Sequence, residues 1–187
     1  MTPAQNLIRH YCWLRRAGIN DSHSGNMSVR SGERIWVTPG GACADSLRPE
    51  QLIECRLDAS PPPGASLDAA LHLAVYRSRP SAGCVIHSHG PYTVAMTLDG
   101  RDFEPPDFEG QLYFPTVPVI SIDYDRYLQE SPAGVAAVLA AQPIMVVRGH
   151  GVYACAETVN LAYKWTCSLE HSAQTAYLAR RAGTWSD

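Results

Sequence analysis

In VIHSHG, histidines 87 and 89 stand one residue apart at the end of a short apolar run, and His150 sits between glycines in RGHG. Side chains on a strand alternate faces, so His87 and His89 point one way while Ser88 points the other. Two imidazoles that converge can share one divalent cation at about 2.0 to 2.1 Å, and a third donor from elsewhere then leaves a coordination position open for a substrate. His150 is the candidate third donor. Its glycine neighbours let the backbone turn sharply, and it ends a strand, PIMVV, expected to lie beside the first. An isolated H-x-H is also an ordinary strand ending and a glycine-flanked histidine an ordinary turn residue, so spacing by itself leaves both readings open. His10, His23, His72 and His171 read as surface or structural groups.

Several elements must position these histidines. Apolar residues at helical spacing predict a helix over residues 3–17, and MSVR and RIWV around SGE predict a hairpin. A third strand is expected in QLIECRL, and a helix over 67–76 capped by Ser66 or Asp68. AGCVIHSH reads as a strand, PYTVAMTL as a short helix, RDFEPPDFEG as a loop and TVPVIS as a strand. SPAGVAAVLAA then reads as a helix, PIMVV and GVYA as strands, and 157–181 as a long helix. The pattern predicts an α/β, three-layer domain with a mixed, mostly antiparallel central sheet. Aromatics on the last helix, among them Tyr163, Trp165, Tyr177 and Trp185, are expected in the core or at a subunit interface.

Composition narrows the classes. At 187 residues and 45% hydrophobic, the chain suits a single domain spanning 1–187. Fifteen Lys and Arg against eighteen Asp and Glu give a formal charge of -3, unlike the basic footprint of a nucleic-acid binder. No apolar run approaches the roughly 20 residues that span a bilayer, and the amphipathic N-terminus does not read as an export signal, so no membrane partner and a cytoplasmic location are expected. The six cysteines are dispersed, without a C-x-x-C pair, and read as reduced packing groups; Cys84 and Cys155, near the histidines, could also be reactive or ligating.

GNMSVR (25–30), VTPGG (37–41), LHLAVYRSRPSAGCVIHSHG (71–90) and RGHGVYACAETVNLAYKW (148–165) together resemble, in order and approximate spacing, the class II aldolase/adducin family. The resemblance implies the family's α/β/α fold, with His87, His89 and His150 as ligands to Zn2+. Mn2+ or Co2+ would also suit three imidazoles. It implies an aldehyde-lyase acting on a small hydroxylated carbonyl substrate, a sugar or sugar acid, through a metal-stabilised enediolate. Epimerase, decarboxylase and dehydratase reactions use the same metal chemistry, and a non-catalytic adducin-like interaction module is the remaining alternative. A homotetramer with active sites at subunit boundaries is also implied.

Residue by residue, the resemblance places Asp68 of ASLD where the aldolases carry a glutamate that acts as acid/base and as an exchangeable fourth metal ligand, with a reach shorter by roughly 1.5 Å. The same aspartate would serve as a helix cap, worth about 0.3 to 1 kcal/mol. Gly25, Asn26, Thr38, Gly41 and Ser66 match the family's phosphate-binding segments. His23, Gly40 and Leu67 depart from them, each removing a donor or filling space, which leaves open a carboxylate or an unphosphorylated substrate. In DFEGQLYF, Tyr113 is the candidate proton donor and Glu109 a second one.

Overall fold

Two cores on opposite faces of one sheet organise the chain in a computed structural model, which describes residues 1–185; positions 186 and 187 of the expected domain lie outside the described residues. Helix α1 (Pro3–Arg16) starts at a capping box in which the Thr2 hydroxyl accepts the Gln5 N–H and the Gln5 side chain accepts the Thr2 N–H. Strands β1 (Asn26–Ser31) and β2 (Arg34–Val37) form the expected hairpin, and β3 (Ile53–Arg56) pairs with β2. Helix α2 (Ala69–Ser78) leads to β4 (Cys84–Ser88), then come α3 (Pro91–Met96), α4 (Phe108–Tyr113) and β5 (Val119–Ile120). Helix α5 (Tyr127–Leu139), the strands β6 (Ile144–Val147) and β7 (Gly151–Ala156), and helix α6 (Val159–Ala182) complete the order.

The sheet runs β3-β2-β1-β4-β7-β6-β5, antiparallel throughout except for the β5–β6 edge pair. This is the mixed, mostly antiparallel sheet expected. On one face, Ile35, Val37, Val85 and Tyr153 pack under α2 and α5 with Leu73, Val75, Val135 and Leu139. On the other, Met27, Val29, Cys84 and Ile86 meet α1 and α6 through Leu7, Leu14, Val159 and Ala162, while Ile144, Val146 and Ala154 meet Leu169 and Ala173 further along α6. Full burial of each such aliphatic side chain contributes about 1.5 to 3 kcal/mol, and alternation along each strand feeds both cores at once.

Three elements depart from the sequence reading. The stretch expected to be a loop with Tyr113 just before a strand ends instead in α4, because the Asp107 carboxylate accepts the Gly110 N–H and caps a helical turn. Helix α5 begins four residues before the expected Ser131 and carries Pro132 inside it, at the loss of one backbone hydrogen bond. Strand β4 neighbours β7 rather than β6, so His150 reaches β4 from the turn entering β7. All six cysteines are free thiols, with Cys55, Cys84 and Cys155 buried. Among the described residues no helix is long and apolar enough to cross a membrane.

Candidate metal centre

Strand register brings the histidines together. His87 lies opposite Tyr153 in the β4–β7 ladder, His89 follows the last residue of β4, and His150 sits in the tight turn between β6 and β7, where Gly149 takes φ +66°. Gly151 is what permits the approach. A Cβ there would collide with the Ser88 carbonyl and stand 2.8 Å from the His89 ring and 3.0 Å from the His87 ring. Gly25, at φ +71°, has the same role on the other side, since a Cβ would sit 2.7 Å from the His87 carbonyl oxygen. Asn20, in the loop before it, accepts the His89 N–H through Oδ1 at 2.9 Å.

One nitrogen from each of the three imidazoles lies within 4.8 Å of the others, and the His87 and His89 Nε2 atoms are 2.8 Å apart. His87 Nδ1 is 3.1 Å from the Val152 carbonyl, which assigns its proton to Nδ1 and leaves the Nε2 lone pair facing the cluster. Burial holds His87 well below the usual imidazole range, against the pull of Asp68, and holds His89 and His150 below it as well. The three rings are therefore neutral donors at physiological pH. The Nδ1 atom of His150 is buried with no hydrogen-bond partner. Convergent neutral nitrogens and an orphaned ring atom fit a divalent cation.

Asp68 stands beside them, its Oδ2 3.8 Å from His87 Nε2. The residue occupies the N-cap position of α2, yet its carboxylate makes no capping hydrogen bond. Instead it accepts from Asn26 Nδ2 at 2.9 Å and from the Tyr127 hydroxyl at 2.8 Å, with the Tyr153 hydroxyl at 3.4 Å. Burial opposes its charge, but His87 and the Asn26 and Tyr127 donors outweigh it, and the carboxyl titrates below its ordinary range. Burial and the nearby Asp68 charge raise both tyrosine hydroxyls, so each stays protonated and donates.

These groups floor a cleft of about 790 Å³. One wall is formed by His23–Asn26, Pro39–Gly41 and Ser66–Leu67, the other by Ile122, Tyr124–Gln129 with Arg126 excepted, and the 147–149 segment. Gly25, Asn26, Gly41 and Ser66 thus line the cleft. Thr38 does not: it is fully buried, with its hydroxyl accepting the Met27 N–H at 3.2 Å. Tyr113 and Glu109 lie outside the cleft of their own chain. Tyr113 packs against Trp165 and under the Lys164 ammonium, and Glu109 is exposed on α4. Tyr127 and Tyr153, unmarked in the sequence, take part: Tyr153 stacks on His87 at 4.2 Å and Tyr127 sits edge-on to His150 at 4.7 Å.

A seven-stranded α/β/α fold with a three-histidine cluster at the β4 and β6–β7 strand ends defines the class, and the chain belongs to the class II aldolase and adducin family, whose description, "Class II Aldolase and Adducin N-terminal domain", matches residues 5–177. Among its relatives, the methylthioribulose-1-phosphate dehydratase of Acidiphilium cryptum is 32% identical, over 86% of this chain and 82% of that protein. The L-fuculose phosphate aldolase of Methanocaldococcus jannaschii is 26% identical, over 82% and 84%. The crystal structure of L-fuculose-1-phosphate aldolase from Thermus thermophilus superposes with a TM-score of 0.90 at 29% identity, covering 98% of this chain and 96% of that one.

Proposed function

We propose that the protein is a metal-dependent lyase of aldolase type, acting on a small hydroxylated carbonyl compound of the sugar-phosphate class. One observation carries this reading: three neutral imidazoles and an ionised carboxylate meet on the floor of an open cleft. A divalent cation held by His87, His89 and His150, with zinc the first candidate, would supply Lewis-acid stabilisation of the negative charge that the reaction places on the substrate's carbonyl oxygen. The chain's own part is proton transfer and orientation. In retro-aldol cleavage Asp68 takes the proton from the hydroxyl β to the carbonyl, the carbon–carbon bond breaks, and its electron pair moves toward the carbonyl oxygen. Asn26, Gly25, Gly41 and Ser66 orient an anionic end of the substrate from the opposite wall. Thr38 contributes there only by holding β1.

Dehydration is the second reading, favoured by the 32% identity to a methylthioribulose-1-phosphate dehydratase. There Asp68 removes a proton from the carbon α to the carbonyl, and hydroxide leaves from the next carbon. In either case the chain is a single cytoplasmic domain working as a homotetramer. Helix α4, with Phe108 77% and Leu112 65% exposed, then offers Tyr113 and Glu109 to the cleft of a neighbouring copy as proton donors.

The test begins with metal content after purification without chelator, followed by turnover of L-fuculose 1-phosphate and 5-methylthioribulose 1-phosphate. We expect about one equivalent of divalent metal per chain, and Asp68→Asn is expected to lower kcat by about a hundredfold or more with metal content unchanged. Turnover that survives complete chelation, or an Asp68→Asn enzyme as fast as the wild type, would overturn the reading.

A further inference from the structure

The sheet itself holds two of the three histidines: His87 lies inside the β4 ladder opposite Asn26 and Tyr153, and the His150 N–H donates to the Val147 carbonyl at 3.0 Å. His89 has no such support. It lies one residue past β4 and directly before the Gly90 that starts α3, so its ring goes where the 89–93 segment puts it. Two side chains from distant parts of the sequence hold that segment. Asn20 accepts the His89 N–H at 2.9 Å. At the other end the Glu170 carboxylate of α6 accepts the Tyr92 N–H through Oε1 at 2.9 Å, and the Thr93 N–H and hydroxyl through Oε2 at 2.9 and 2.7 Å.

The first N–H groups of a helix need acceptors from outside it, and the N-cap of α3 is a glycine with no side chain to offer. Pro91 has no N–H, Val94 donates to the Gly90 carbonyl at 2.9 Å, and Tyr92 and Thr93 are left to Glu170. Gly90 is also what admits the carboxylate, since a Cβ there would collide with Glu170 Oε2. Glu170 is buried and is not part of the cleft lining; its three bonds all go to the turn that follows His89.

We propose that Glu170 is a positioning residue for the metal centre: by clamping the start of α3 it fixes the backbone after His89 and so aims the His89 ring at the cation shared with His87 and His150. This rests on the metal-dependent reading above and adds to it a residue of α6. Glutamine cannot replace the glutamate, because both carboxylate oxygens accept and an amide would set its NH2 donor against an N–H or the Thr93 hydroxyl.

The experiment titrates the full chain with Co2+ and follows affinity, and the visible absorption bands at saturation, in wild type, Glu170→Gln, Thr93→Val and Leu14→Ala. Glu170→Gln is expected to bind cobalt about tenfold more weakly, with bands at saturation changed in position and intensity, because a displaced His89 alters the field at the ion. Thr93→Val removes one bond to Oε2 and keeps both N–H bonds. It should move both readings the same way by less, and it decides alone if the Glu170→Gln chain does not fold. Leu14→Ala loosens the fold away from this turn, so its bands should be those of the wild type. Saturated bands unchanged in both Glu170→Gln and Thr93→Val, whatever the affinity, or bands that move equally in Leu14→Ala, would overturn the clamp while leaving the metal site standing. A wild-type chain that binds no cobalt would overturn both.

Discussion

Strand β1 meets different chemistry on its two faces. Met27 and Val29 pack against α1 and its Leu7 and Leu14 in an aliphatic core, whereas Asn26 and Ser28 look toward α2 and a buried polar column. In that column Asp68, His72 and Tyr76 recur every four residues on one side of α2, and each meets a β1 residue: Asp68 bonds Asn26, while the Ser28 hydroxyl sits 2.7 Å from His72 Nδ1 and 2.9 Å from the Tyr76 hydroxyl. Helix period laid over strand alternation thus lines up polar groups on one face only. For β1, apolar packing lies on the first face, and the Asp68 carboxylate is placed by the second.

The largest expected effect tests whether the faces are separable. Leu14 is fully buried on the aliphatic face, so Leu14→Ala should cost about 4 kcal/mol in urea unfolding and leave cobalt affinity within about twofold. A matching loss of metal affinity would mean the faces are coupled. Next comes the pH response of the polar column. Burial pushes His72 down to about 4, against the pull of Asp68. Between there and the unfolded value near 6.5 the unfolded chain binds the extra proton, so stability rises with pH across this window and is lost as pH falls through it, by about 3 kcal/mol. His72→Asn removes that proton, and its unfolding free energy should fall correspondingly less between pH 7 and pH 4; an unchanged slope would show that His72 is not held neutral. The smallest effect is expected from Tyr76→Phe, which deletes one end of the Ser28 pair and should cost about 1 kcal/mol, read as a shifted denaturant midpoint with metal binding intact.

How much of this could be read from the sequence follows from how local each signal is. The histidine pair was legible through strand alternation and His150 through its glycines, because both depend on a few neighbouring residues. Asp68 was legible only through resemblance. As an isolated aspartate before a helix it reads equally as a cap, and only the long-range bonds from Asn26 and Tyr127 show where its carboxylate goes. Tyr127 escaped because Ser131-Pro132 resembles a helix start, which puts the true first turn of α5 outside the expected element. Tyr153 sits in an apolar run with nothing to mark its hydroxyl. Thr38 shows the converse: a turn motif fixes the backbone path and does not say which way the side chain points.

The turn that carries His150 closes a contact that reaches far back along the chain to β4, across β7. A growing chain on the ribosome holds only two of the three imidazoles until the β6–β7 turn has emerged. Occupation of all three rings by a cation would therefore wait on residue 150, with β7 and α6 still to be made.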